Sequence, residues 1–197
     1  RYYYSDSITT FLSRSNNEIV GVLTLASQHD INDETSKSWV EEIETMREVL
    51  AAYEGRGSVY FEYNIPRMGR RVDVIAVIDG IIFVLEYKTA ERKFSREALI
   101  QVWDYAIDLK NFQEGSLDRI LIPILVVPSE KSSRCQTDLK HLGDYVYEPL
   151  QVNTKRLAEA IEMVLNTVHY DVIPSQTDDQ WAKSGYSPTP TIIEAAI

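Results

Sequence analysis

Between residues 72 and 87 the chain is apolar almost without a break, VDVIAVIDGIIFVLEY; apart from the central Asp79-Gly80, only Asp73 and Glu86 interrupt it. Val72–Ile78 and Ile81–Tyr87 are strand-like, and Asp-Gly between two such runs favours a two-residue type I′ turn. The pattern therefore predicts a β-hairpin of fixed register: Ile78 faces Ile81, Val77 faces Ile82, Ile75 faces Val84, and Asp73 faces Glu86. Alternation puts Ile75, Val77, Ile82 and Val84 on one face, and Val74, Ala76, Phe83 and Leu85 on the other. A hairpin apolar on both faces belongs inside a sheet that is covered on both sides.

The rest of the pattern supplies the cover. Trp39, Ile43, Met46 and Leu50 form a helical stripe within Thr35–Tyr53, which Gly55 and Gly57 end. Ser58–Ile65 alternates as a strand, and Pro66 opens the turn into the hairpin; an even turn pairing Pro66 with Arg71 would set Glu62 opposite Ile75. Ser95 caps a predicted helix from Arg96 to Phe112, with Leu99, Val102, Trp103, Ala106 and Ile107 as its apolar positions. Arg119–Val127 is a continuous apolar strand, Ser129–Lys140 is polar with a short helix, and Asp144–Val152 is a further strand. Asn153 or Thr154 caps a helix to about His169, with Leu157, Ile161, Val164 or Leu165, and Val168 inward. Ser7–Leu12 and Glu18–Leu25 are two short elements, and residues 171–190, with three of the seven prolines, read as linker. The order predicts an α/β domain over residues 1–170, a central mixed sheet flanked by helices, with 171–197 as linker. The 96–112 crossover lets strand 81–88 run parallel to strand 119–127.

At 197 residues and 44% hydrophobic content the chain suits one domain with a real core. It opens on Arg1 rather than Met, as a piece of a longer protein would. No apolar run is long enough to span a membrane, no leader pattern is present, and the single cysteine, Cys135, fits a reducing compartment, so a cytoplasmic location is expected. His29, His141 and His169 lack zinc spacing. The net charge is −10, yet the window Arg67–Arg96 holds seven basic residues against four acidic ones and carries +3, leaving −13 for the remainder. That island surrounds Asp73 and Glu86, where a polyanion would need it; a solvated pair of loops is the plainer account of the same residues.

Two carboxylates opposed across a hairpin repel each other, and Lys88, two residues beyond Glu86, falls on the same face. Three readings follow: a divalent-metal site with oxygen ligands, a buried salt bridge, or a solvated sheet edge. The apolar faces around the pair favour the first, because buried charges without partners are costly.

Asp73, followed after the hairpin by Glu86-Tyr87-Lys88, resembles the D…ExK signature of the PD-(D/E)xK nuclease superfamily. Gln101-Val-Trp-Asp-Tyr105 on the next helix looks like the QxxxY motif of its RecB-like branch, and the two residues share one helical face. Phe61-Glu62-Tyr63-Asn64-Ile65-Pro66 and Arg70-Arg71-Val72-Asp73 are similar to bacterial and phage nuclease–helicase fusions of the Schlafen-like P-loop kind, as is the tail from Tyr186 to Ala196. The chain departs from those relatives at Leu85-Glu86-Tyr87-Lys88-Thr89, where Glu-Leu-Lys-Gln-Trp is more usual. No GxxxxGK[ST] occurs, so no ATPase is claimed.

The resemblance implies a restriction-endonuclease-like core and Mg²⁺- or Mn²⁺-dependent hydrolysis of nucleic acid, DNA ahead of RNA, beside a C-terminal helicase domain in defence, repair or replication. Asp73 and Glu86 with the Tyr87 carbonyl would hold the metal, Lys88 would orient water and neutralise phosphate, and Gln101 would position either. Arg70, Arg71, Arg92, Lys93 and Tyr105 would contact the nucleic acid, while Trp103 reads as core. For a further ligand Glu62 is preferred, with Glu48, Glu44 and Glu42 on the first long helix as alternatives. The competing function is a catalytically weak nucleic-acid-binding module, or a regulatory one, for the helicase.

Overall fold

The computed structural model describes residues 1–28, 31–131, 138–140 and 145–186. Six strands form one mixed sheet in chain order: β1 (Tyr4–Ser7), β2 (Gly57–Ile65), β3 (Arg70–Ile78), β4 (Ile81–Tyr87), β5 (Leu121–Val126) and β6 (Leu150–Val152). β1 to β4 pair antiparallel, and β4, β5 and β6 pair parallel. One face is covered by α1 (Ile8–Ser13), α2 (Asn16–Ala26), α3 (Asp33–Leu50) and α5 (Thr154–Thr167); the other by α4 (Arg96–Phe112) and α6 (Asp178–Ala182). The α/β class and the mixed sheet flanked by helices are as the pattern predicts.

The central hairpin follows from its turn. Asp79 and Gly80 have φ of 51° and 82°, the left-handed pair that type I′ requires. Arg56 donates two N–H groups to the Asp79 carboxylate, fastening the turn to the chain ahead of β2. The ladder runs from Ile78↔Ile81 to Val74↔Leu85, and the two apolar sets fall on opposite faces as expected. β2 lies against this hairpin so closely at its start that a Cβ on Gly57 would sit 1.7 Å from the Val77 carbonyl oxygen.

The helices obey their caps. Ser95 accepts the Ala98 N–H at the start of α4, whose bounds coincide with those predicted, and Asn153 does the same for Arg156 in α5. Trp39, Ile43, Met46 and Leu50 of α3 are buried. In α4 the buried stripe is Ala98, Val102, Tyr105, Ala106 and Leu109, whereas Ile107 is exposed and Trp103 only half-buried, so Trp103 is not core.

Four expectations are corrected. β1 is missing from the sequence reading because Tyr4-Ser-Asp-Ser is short and polar, as edge strands are. The β2–β3 register pairs Ile65 with Arg70, not Pro66 with Arg71: Pro66–Met68 form a single 3₁₀ turn that Gly69 closes at φ 59°. The strand expected over Asp144–Val152 is reduced to Leu150–Val152 plus one bridge, Leu121↔Val146. Residues 171–186 are no linker. They carry α6, capped by Thr177 and Gln180, and Trp181 is wholly buried, stacked on Tyr63 at 5.5 Å with its indole N–H on Ser116. Composition conceals this, because one tryptophan makes the contact amid Pro, Ser and Asp. The tail beyond residue 186, Cys135, His29, His141 and residues 132–137 of the polar stretch 129–140 lie outside the described residues.

Gly57→Ala would drive a methyl into the β3 backbone. We expect a loss of about 1–3 kcal/mol or more of unfolding free energy in urea titration, with Gly55→Ala, which meets open space but sits at positive φ, costing less.

Candidate active site

β2, β3 and β4 each bring one acid to the same row of the sheet. The pairs Phe61↔Val74 and Tyr63↔Val72 bracket Glu62 and Asp73, so Glu62 stands directly opposite Asp73 rather than one step diagonal to it. Asp73 and Glu86 are the next residues after Val74↔Leu85, the last pair of the hairpin ladder. The β3–β4 ladder stops here, and the β2–β3 ladder is interrupted. Asp73 turns its carboxylate onto the Tyr87 backbone N–H at 2.8 Å. Glu62 has φ of 55°, a left-handed conformation that costs a non-glycine residue about 1–3 kcal/mol.

Both strands change faces at this row. Val59 and Phe61 lie on the α3 side, but Tyr63 and Ile65 lie on the α4 side; Val74 and Ala76 face α3, but Val72 faces α4. Residues two apart should share a face, so one irregular residue in each strand reverses the alternation. Those residues are Glu62 and Asp73.

α3 supplies the fourth acid. Glu42 is 3% exposed, and its Oε2 is buried with no hydrogen-bond partner; Glu86, 5% exposed, has an equally solitary Oε2. Glu44 and Glu48 face a separate groove beside Pro128 and Ser129, so neither is the helix candidate. Helical phase contained this information: Glu42 is three residues after Trp39 and four before Met46, inside the apolar stripe. Trp39 donates its indole N–H to Glu62 Oε1 at 3.2 Å, and Ser38 and Thr89 share a hydrogen bond that ties α3 to the chain leaving β4.

The acids line a pocket of about 550 Å³, whose wall holds Glu34, Glu41, Glu42, Glu62, Asp73 and Glu86 against one lysine, Lys37. Burial, set against the Tyr87 N–H and reinforced by Glu62, pushes the Asp73 carboxyl up to about 7. Burial and then the charge of Asp73 hold Glu86 well above the carboxylate range, and burial with the charges of Asp73, Glu62 and Glu86 does the same to Glu42. Glu62 is raised by burial, opposed by the Trp39 bond and by Arg71.

Lys88 lies on the Glu86 face as predicted, its Nζ 3.5 Å from Glu86 Oε1. On α4, Gln101 Nε2 donates to the Tyr105 hydroxyl at 2.7 Å, and the charges of Glu86, Asp73 and Arg70 act on that hydroxyl. Tyr105 is 1% exposed and packs in the core, with its hydroxyl held by Gln101. Arg70, Arg92 and Lys93 are exposed. Arg71 is not with them: its guanidinium lies 4.1 Å from the centre of the Tyr3 ring and donates to the Glu62 carbonyl at 2.9 Å.

Among the described residues, no group of three or more His, Cys, Asp or Glu side chains is arranged to hold a metal ion as it stands. The donor chemistry fits a hard divalent cation nonetheless: the donors are all oxygen, two buried acceptors lack donors, and the carboxylates raise one another's pKa.

No family model and no curated protein matches this chain. Among solved structures, protein VC1899 from Vibrio cholerae is similar at 16% identity and a TM-score of 0.37, over 78% of this chain and 42% of that one. The chain thus spans less than half the length of that protein.

A carboxyl whose folded pKa is raised favours the protonated fold, so its contribution to stability is complete below the unfolded value near ~4 and is lost as pH rises through about 7. Asp73→Asn removes that loss. In EDTA, the melting temperature of the variant relative to wild type should climb between pH 5 and pH 8; a constant difference would show that the cluster carries no such strain.

Proposed function

We propose that this chain is a metal-dependent nuclease domain with a PD-(D/E)xK core, hydrolysing phosphodiester bonds of nucleic acid, DNA ahead of RNA. The observation that carries the reading is the junction itself: Asp73 and Glu86 side by side on a hairpin, Lys88 against Glu86, and two further acids closing a pocket over them. Glu42, Glu62, Asp73 and Glu86, with the Tyr87 carbonyl, would hold Mg²⁺ or Mn²⁺. Such an ion, when bound, lowers the pKa of water and stabilises charge on the attacked phosphate.

The chain's own residues account for the rest. An acidic pocket repels a phosphate until its charge is neutralised, which makes cleavage depend strictly on the cation. Lys88 is poised to neutralise a non-bridging phosphate oxygen and to hold the attacking water. Gln101, hydrogen-bonded to Tyr105, would position water or phosphate. Arg70, Arg92 and Lys93 position the flanking backbone without reading sequence. The partner helicase and a role in defence, repair or replication rest on the sequence resemblance alone. No helix among the described residues is long and apolar enough to cross a membrane.

The deciding experiment incubates the purified chain with labelled single- and double-stranded DNA and RNA in Mg²⁺, Mn²⁺ or EDTA. Cleavage with metal and none in EDTA is expected, and Asp73→Asn, Glu86→Gln and Lys88→Ala should each lower it by at least ~10²-fold with the fold intact. Absence of cleavage under every condition would leave the binding-module reading in its place.

The exposed cations make a separate prediction. Neutralising Arg70, Arg92 and Lys93 together should weaken nucleic-acid binding for all sequences alike. It should also reduce the slope of log K against log salt by up to roughly one unit per lost phosphate contact. Fluorescence anisotropy across a salt series measures both.

A further inference from the structure

Glu62 is held from three sides. Its backbone is left-handed in the middle of a strand, a conformation that persists only where the surroundings impose it. The kink takes its carbonyl out of the β2–β3 ladder, and Arg71 Nη1 occupies that carbonyl at 2.9 Å. Arg71 is held in turn by the Tyr3 ring beneath its guanidinium. Tyr3 is fixed beside the kink because its N–H bonds Phe61 O, while Arg1 O receives the Asn64 N–H on the far side. The carboxylate, finally, is held by the Trp39 indole N–H. These contacts leave Glu62 in the pocket wall opposite Asp73.

We propose that Arg71 on Tyr3, together with Trp39, is a clamp that holds the strained Glu62 in the acid cluster, making Arg71 a positioning residue and not a nucleic-acid contact. The proposal rests on the nuclease reading for its consequence in catalysis, but not for the clamp itself. A planar guanidinium stacked on an aromatic ring while donating to a carbonyl is not replaced by an ammonium. Lysine should therefore fail at position 71 although it keeps the charge.

Two measurements test it. The first compares Arg71→Lys and Arg71→Ala with Arg70→Ala. Both Arg71 variants should lower kcat and raise the Mn²⁺ concentration giving half-maximal thermal stabilisation, each by roughly 10–100-fold. The KM and Kd for nucleic acid should stay unchanged in both, whereas Arg70→Ala should raise both constants. Trp39→Phe should shift the Mn²⁺ midpoint in the same direction. If Arg71→Lys behaves as wild type and Arg71→Ala only weakens nucleic-acid binding, Arg71 is an ordinary phosphate contact and the proposal is overturned.

The second measurement needs neither metal nor activity. Glycine accepts φ of 55° without strain, so Arg71→Ala should lower the melting temperature in EDTA less in a Glu62→Gly background than in wild type. An equal loss in both backgrounds would show that Arg71 does not hold the kink. If wild type cleaves nothing, this cycle still decides the clamp, and only the catalytic reading falls.

Discussion

Four carboxylates gathered at one end of a largely apolar sheet oppose one another's ionisation, and the surrounding structure is arranged around that constraint. Burial keeps Glu42 and Glu86 from water, and neither has a donor for its Oε2. Burial raises the carboxyls of Glu42, Asp73 and Glu86 above their ordinary range, and the charge of Asp73 adds to the shift of Glu42 and Glu86. The relief on offer is small: one backbone N–H to Asp73, one indole to Glu62, one ammonium beside Glu86. A site built this way is under electrostatic tension as it stands.

The same row of residues is where the sheet changes character. Below it the strands alternate regularly between two apolar layers; at Glu62 and Asp73 the alternation reverses in both strands at once. The reversal lets side chains of β2 and β3 that would point into closed core open instead toward the pocket under α3. It also explains why an acid-bearing row can exist inside a sheet whose two faces are otherwise sealed.

Much of this was legible beforehand, for reasons that can be named. Asp79-Gly80 permits one tight turn, and from it the adjacency of Asp73 and Glu86 and the placement of Lys88 follow by counting. Ser95 and the periodicity after it delimit α4. What escaped was non-local or lay in a single residue. The slip of β2 against β3 depends on whether Pro66 or Arg70 belongs to the turn, and it moved Glu62 from diagonal to opposite. Glu42 was legible as a member of the α3 stripe, yet a charged residue there reads as solvated surface until something is known to face it. Tyr105 and Arg71 have the composition of a binding surface, but one is buried and the other is spent on its own backbone. The 171–186 segment has no periodicity at all; one tryptophan anchors it.

That tryptophan has a consequence for how the protein is made. Trp181 stacks on Tyr63 and meets Tyr60 edge-on, and its backbone carbonyl takes the Gln113 amide, so the layer beneath α4 is completed by a residue of α6. Chains emerge from the ribosome from the N-terminus, at about 5–20 residues per second. The hairpin, α3 and the acid cluster therefore emerge well before their opposite face can close. During that interval Tyr60 and Tyr63 have the Tyr2 ring beside them but lack Trp181, so their layer is incomplete. The layer beneath α4 is thus completed by α6, which is made after both the hairpin and α4.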